Sequence, residues 1–257
     1  MMALVRSEFR KVTTTKVLLW LTIATVTFSA LNVVLLVFLT PRAMDVSTDV
    51  NFLLDPAYVT NILGAAGSSS IFILILGIIG MTGEYRHMTI TSTFLVTPKR
   101  PRVLIAKGMA YALLGATLGL IAFASSFVVT LIALSREAHA PVDATIAIQI
   151  LVGVVLAFAI YAFVGVSVGA LIRIQVAAVV GALVWVLIVE ALITVFVDWI
   201  GKWLPGGALD AVLQTTNVTG RGGEDILPTA AGVIVLIGYA VLFGTLASLT
   251  TLRRDIT

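Results

Sequence analysis

"GALIRIQVAAVV", Gly169 to Val180, places one arginine inside an apolar run that extends from Thr145 to Val197. The fold turns on whether that run crosses a bilayer once or twice. As a single helix its roughly 50 residues would reach about 75 Å, against a hydrocarbon core of about 30 Å. One long buried helix or a re-entrant pair is the alternative, but the length favours a tight turn at Ile172-Arg173-Ile174-Gln175. Two spans then lie side by side, over 145–172 and 174–197.

Outward from that turn the same pattern repeats. Apolar runs over 17–39, 62–81, 104–134 and 229–252 are each long enough to span, which gives six in all. The run over 104–134 exceeds what a bilayer needs, so it tilts or projects beyond the membrane. Of the 257 residues, 60% are hydrophobic and only 11% are charged, and the mean hydropathy is +1.12. A water-soluble domain carries about a quarter charged residues. The sequence therefore specifies a single all-α integral membrane domain. The first run, over 17–39, is longer than the roughly 7–15 residues of a signal-peptide core and is expected to be retained. There is no cysteine, which excludes disulfides and thiol catalysis. His87 and His139 are too few for a typical zinc site. The basic residues sit at membrane edges and not on a soluble face, so nucleic acid is not an expected partner.

Charge sets the orientation. With the N-terminus inside, 12 of the 16 Lys and Arg face the cytosol, and only Arg42, Arg136, Lys202 and Arg221 lie outside. Arg253 and Arg254 then hold the C-terminus in the cytosol as well, as six spans require. Ahead of the first span, "MMALVRSEFRKVTTTK" puts Leu4, Val5 and Phe9 on one helical face with Arg6, Arg10 and Lys11 elsewhere. That pattern predicts a short helix lying in the membrane interface.

The loop between spans 2 and 3 is the most charged interval, holding Glu84, Arg86, His87, Lys99, Arg100, Arg102 and Lys107. Thr89 can cap a short helix beginning near Ile90, and Pro98 limits its length. Ile90 and Phe94 are four apart and share a face. Ile90, Phe94 and Leu95 among hydroxyl residues make an apolar knob rimmed by polar groups, which suits a docking peg. A solvated loop whose basic residues touch anionic lipid is the competing interpretation.

"GEYRHMTITSTFLVTPKRPRVLIAKGMAY", Gly83 to Tyr111, resembles a segment of the permease subunits of ATP-binding-cassette (ABC) transporters of the bacterial type-2 exporter family. A Glu-Tyr-Arg start, a short Thr/Ser/Leu helix, a Thr-Pro break with basic residues and an Ala-Lys opening of the third span carry the likeness. "GALIRIQVAAVVGALVW" (Gly169 to Trp185) and "WLPGGALDAVLQ" (Trp203 to Gln214) resemble the family's turn between spans 4 and 5 and its outer loop before span 6. Arg173 and Gln175 stand where that turn usually carries a small polar residue. The resemblance implies that the short helix is a coupling helix resting in a groove of an ATPase. Glu84, Arg86, Ile90, Phe94, Leu95, Lys99 and Arg100 would form that contact. It further implies an exporter in a bacterial cell membrane, with a second permease copy or a similar subunit as partner.

The chain lacks the Gly-x4-Gly-Lys-Ser/Thr pattern of a phosphate-binding loop, so no cofactor is expected on it. ATP and Mg would belong to the partner ATPase. Glu190 is the one carboxylate deep in a span, either lining a cavity or bonded to a neighbouring helix. Asn32 in span 1 and Ser69 in span 2 either bond between helices or, as the resemblance implies for residues near the dimer centre, join Glu190 along a translocation path. Gly115-x3-Gly119 and Gly165-x3-Gly169 predict close helix packing. Trp199 and Trp203 suit an interfacial belt, and the stretch after them a short re-entrant helix. Asn217-Val218-Thr219 matches a glycosylation acceptor, a pattern common by chance. A non-transporting scaffold that anchors a cytosolic partner would use the same basic loop. An ion-coupled carrier would need further ionisable groups at mid-membrane.

Overall fold

Aspartate and proline set the helix starts. The Asp55 carboxylate accepts from the Ala57 backbone N–H at 2.9 Å and Pro56 occupies the first turn, so the second span begins there, well before Ile62. Asp143 does the same for the fourth span through the Thr145 N–H at 2.7 Å. Pro101 lies in the first turn of the third span, which opens at Arg100.

The computed structural model describes residues 1–39, 52–96, 99–136, 138–215 and 226–249. Among them every regular element is helical. Six helices are long and apolar enough to cross a membrane: Lys16–Leu39, Pro56–Arg86, Arg100–Leu134, Ala144–Ile172, Gln175–Phe196 and Thr229–Leu249. The protein is a multi-pass membrane protein. The tight turn at Arg173 is present, with Arg173 in the left-handed region at φ 60°. The second span runs further in both directions than its apolar run, from Pro56 to Arg86, and contains a 3-10 segment at Ala65–Ser69. Arg42, Arg221, Arg253, Arg254, Pro98, the Asn217 motif and the last part of the expected sixth span, 250–252, lie outside the described residues.

Span 2 is the most enclosed, with 72% of its most apolar stretch buried, and span 5 the least, with 11%. Spans 2, 3 and 4 therefore form the centre, and glycine lets them approach. A Cβ on Gly77 of span 2 would sit 2.5 Å from the Ala162 carbonyl oxygen of span 4. Across the same contact, Gly165 packs directly on the Leu74 carbonyl. Gly115 and Gly119 of span 3 meet Phe158, and Gly169 meets Ile78, so both glycine pairs are helix contacts.

One end of the bundle gathers the N-terminal helix Met2–Thr13, the short helix Ile90–Val96 and the Arg173 turn. We call this the basic end. The opposite end holds a second short helix, Pro205–Leu213, inserted against spans 4 and 6. It is almost wholly buried, as a re-entrant segment would be.

Gly165→Ala should separate spans 2 and 4 and lower thermal stability in detergent, by about 1–3 kcal/mol for an overpacked core. Gly83→Ala, whose added Cβ meets nothing within 4 Å, should be neutral or stabilising by up to about 1 kcal/mol through helix propensity.

Candidate functional site

At the basic end the helices are tied by charge. Lys107 lies two turns into the third span and is 2% exposed. Its ammonium donates to Glu8 of the N-terminal helix in a short ion pair, and to Glu84 Oε1 of span 2 at 2.8 Å. Lys11 donates to Glu8 at 2.6 Å and to Glu84 at 3.0 Å. The Tyr111 ring lies 5.7 Å from the Lys107 ammonium. Two carboxylates and two ammonium groups cancel, which is what permits charge at this depth. Burial works against the Glu8 charge, but Lys107 and Lys11 outweigh it and hold its carboxyl below the usual range. Burial likewise opposes the Lys11 charge, and Glu8 and Glu84 outweigh it and hold the ammonium above its usual range.

This cluster changes the role of two elements. The N-terminal helix is fastened to the bundle by Glu8 and by buried Val12, so its attachment does not depend on the Leu4, Val5 and Phe9 face alone. Glu84, expected to contact a partner, is 7% exposed and is spent on the internal ion cluster.

The short helix Ile90–Val96 forms as predicted. Thr89 precedes it, and its carbonyl accepts the Thr93 N–H at 3.2 Å. The apolar knob, however, points inward. Ile90 is 1% exposed within the main core, and Phe94 packs partly against that core. Exposed apolar surface there would cost free energy, and the shared Ile90–Phe94 face is the one the helix buries. The Arg100 guanidinium lies 5.3 Å from the Phe94 ring. Leu95 faces outward at 79% exposure, and Lys99 is also exposed.

Arg86 reaches Gln175 at 3.4 Å, and the Arg173 guanidinium lies 5.4 Å from the Tyr85 ring. The end of span 2 is thus linked to the turn between spans 4 and 5. Of the seven loop residues singled out in the sequence, Glu84 and Ile90 turn inward, Phe94 and Arg100 pair, and Arg86 bridges to the turn. Leu95 and Lys99 remain on the surface.

The structure does not bring the three path candidates together. Asn32 donates to the Phe28 carbonyl of its own helix at 2.9 Å. Ser69 is fully buried, its hydroxyl 2.9 Å from that of Ser29 in span 1, a bond between helices. Glu190 is 1% exposed and accepts from the Gly206 N–H in a short hydrogen bond. Gly206 is in the first turn of the helix Pro205–Leu213, directly after Pro205. A carboxylate there satisfies a first-turn donor and complements the positive end of the helix dipole. Glu190 is the cap of the inserted helix.

Charge and spacing place Lys11 in the leader and Lys107 at the opening of span 3, but they do not pair either with Glu8 or Glu84. A signal was present, since Glu8 is the only acid in a basic leader and Lys107 is flanked by Ala106 and Gly108 inside an apolar run. Among the described residues, no group of three or more His, Cys, Asp or Glu could hold a metal ion. No family model matches the chain, and no curated protein is significantly similar to it.

Removing one partner from a buried ion cluster costs about 3–5 kcal/mol, so Lys107→Met should lower thermal stability in detergent by that order. The Glu84→Gln/Lys107→Met double variant should regain part of the loss, and equal additive losses would show that the two residues are not coupled. Glu190→Leu should destabilise by about 1–2 kcal/mol, the usual worth of a helix cap. Glu190→Gln keeps an acceptor and should lose less, as read by protease protection of residues 205–213.

Proposed function

We propose that this protein is the membrane-spanning permease subunit of an ATP-driven ABC transporter of the type-2 exporter kind. It would work as a dimer, or with a similar permease, and a separate ATPase chain would bind and hydrolyse MgATP. The observation that carries this reading is the mounting of the helix Ile90–Val96. Its inner face is anchored by Ile90 and Phe94, while Leu95 is offered to solvent at 79% exposure. The spans on either side, 2 and 3, are joined by Glu84 and Lys107 and extended to the N-terminal helix by Glu8. A push on Leu95 would therefore be delivered to a rigid unit of three helices and not absorbed by a loose loop.

Charge supports a cytosolic position for this contact. Among the described residues, Arg6, Arg10, Lys11, Lys16, Arg86, Lys99, Arg100, Arg102, Lys107 and Arg173 belong to elements of the basic end, against Arg136 and Lys202 at the other. That asymmetry fits the positive-inside rule and both termini in the cytosol. The likeness of the Gly83 to Tyr111 segment to type-2 permeases agrees with it. Movement between inward and outward openings would follow from differential affinity of the ATPase states for the loop helix.

Purification of the tagged chain from its own membranes tests the proposal. The expected result is co-purification of an ATPase, with transport into or out of vesicles that depends on nucleotide. Leu95→Asp should abolish coupling, or cut ATPase association about tenfold or more, the loss of roughly 1.4 kcal/mol at an interface. Because Leu95 is exposed, the variant should retain wild-type thermal stability. A scaffold would instead yield a stable partner without nucleotide-hydrolysing activity, and that outcome would overturn the permease reading.

A further inference from the structure

Between spans 2, 4, 5 and 6 lies a cavity of about 400 Å³. Its deep end is formed by Tyr161, Leu236 and Pro205, and its walls near the Arg173 turn by Ile172, Gly181 and Phe243. None of these residues belongs to the ion cluster or to the loop helix. The volume falls within the range of small-molecule sites.

We propose that this cavity holds one acyl tail of a phospholipid from the leaflet at the basic end. The first argument is chemical. The lining is apolar, and its two phenol groups are already satisfied. Tyr161 donates to the Pro205 carbonyl at 3.0 Å and Tyr239 to the Trp203 carbonyl at 3.2 Å. An occupant needs no polar group inside, and a polar one would lose its hydration without compensation. A hydrocarbon chain meets that condition, and the surrounding solvent supplies it.

Length is the second argument. From Ile172 to Tyr161 the wall of span 4 rises about 16 Å at the helical pitch. Half of a typical bilayer core is about 15 Å, the depth of one tail in its own leaflet. The cavity thus begins at the Arg173 turn, where a headgroup would sit, and stops where Pro205 closes it. Basic residues at that end favour the phosphate of a phospholipid.

The third argument is the wall itself. Span 5 departs from α-helical geometry at Trp185–Val189, a π turn, and its first two residues line the cavity. Such turns are uncommon and concentrate at functional sites. Span 1 carries a comparable π turn at Leu35–Leu39, so the turn in span 5 supports the site by its place in the cavity wall and not by its rarity. The proposal rests on the six-span membrane fold and is independent of any ATPase partner.

Gly181 provides the test, because a Cβ placed there meets nothing within 4 Å. Gly181→Leu should fill the cavity without forcing the backbone. The full-length protein is placed in nanodiscs containing a phospholipid with a diazirine near the end of one tail, irradiated, and mapped by mass spectrometry. Labels are expected on Tyr161 and Leu236, which are buried from bulk lipid. They should fall about tenfold or more in Gly181→Leu, since overpacking excludes the guest. Gly238→Leu adds the same bulk at a position that is equally open and does not line the cavity. It should leave the labels unchanged. Labelling that is uniform over Leu187, Val195 and Phe196 and indifferent to Gly181→Leu would mean bulk lipid contact only and would overturn the site. So would labelling of the cavity by a free diazirine fatty acid but not by the phospholipid.

Discussion

A lysine ammonium at 2% exposure within a membrane bundle is tolerable only where opposite charge lies within hydrogen-bonding reach. Lys107 imposes that condition on everything around it. Glu84 must come from the end of span 2 and Glu8 from the N-terminal helix, and the three elements are then fixed relative to one another. Lys11 completes the neutralisation from the solvent side, with half of its side chain exposed. The rest of the basic end follows from this. The loop helix hangs between two clamped spans, and Arg86 carries the attachment on to the Arg173 turn through Gln175.

The opposite end uses another device. There a short helix enters the bundle, and the problem is a set of unpaired N–H groups rather than a charge. Pro205 removes one donor and Glu190 accepts another from Gly206. Glycines at 206 and 207 let the helix start approach Glu190 and the Gly201 carbonyl closely. Both ends therefore bury ionisable groups for mounting, while the middle of the bundle relies on glycines packed closely against the facing helix.

The spans were legible because lipid leaves the backbone no alternative to helix over a long apolar run. Their ends were less so. Asp55 extends the second span by a local cap that hydropathy does not register, although the Asp-Pro pair at 55 and 56 was a usable sign, whereas the fourth span, capped by Asp143, begins within one residue of its apolar run. The turn at Arg173 followed from length alone. Spacing showed that Ile90 and Phe94 share a face, but spacing does not say whether a face looks in or out, and only the packed structure assigns Ile90 to the core. Glu8 and Lys107 are 99 residues apart, so their pairing depends on tertiary arrangement that no local pattern encodes. Glu190 was visible as an anomaly; its donor, 16 residues on, was not.

That separation bears on how the chain is made. Glu190 emerges from the ribosome ahead of Gly206, so the fifth span reaches the membrane while the donor it caps is still 16 residues behind. Lateral release of the span at that moment would leave the carboxylate facing lipid. The fifth span and the segment through Leu213 should accordingly enter the bilayer together, the span being retained until the helix that needs the acid has arrived beside it.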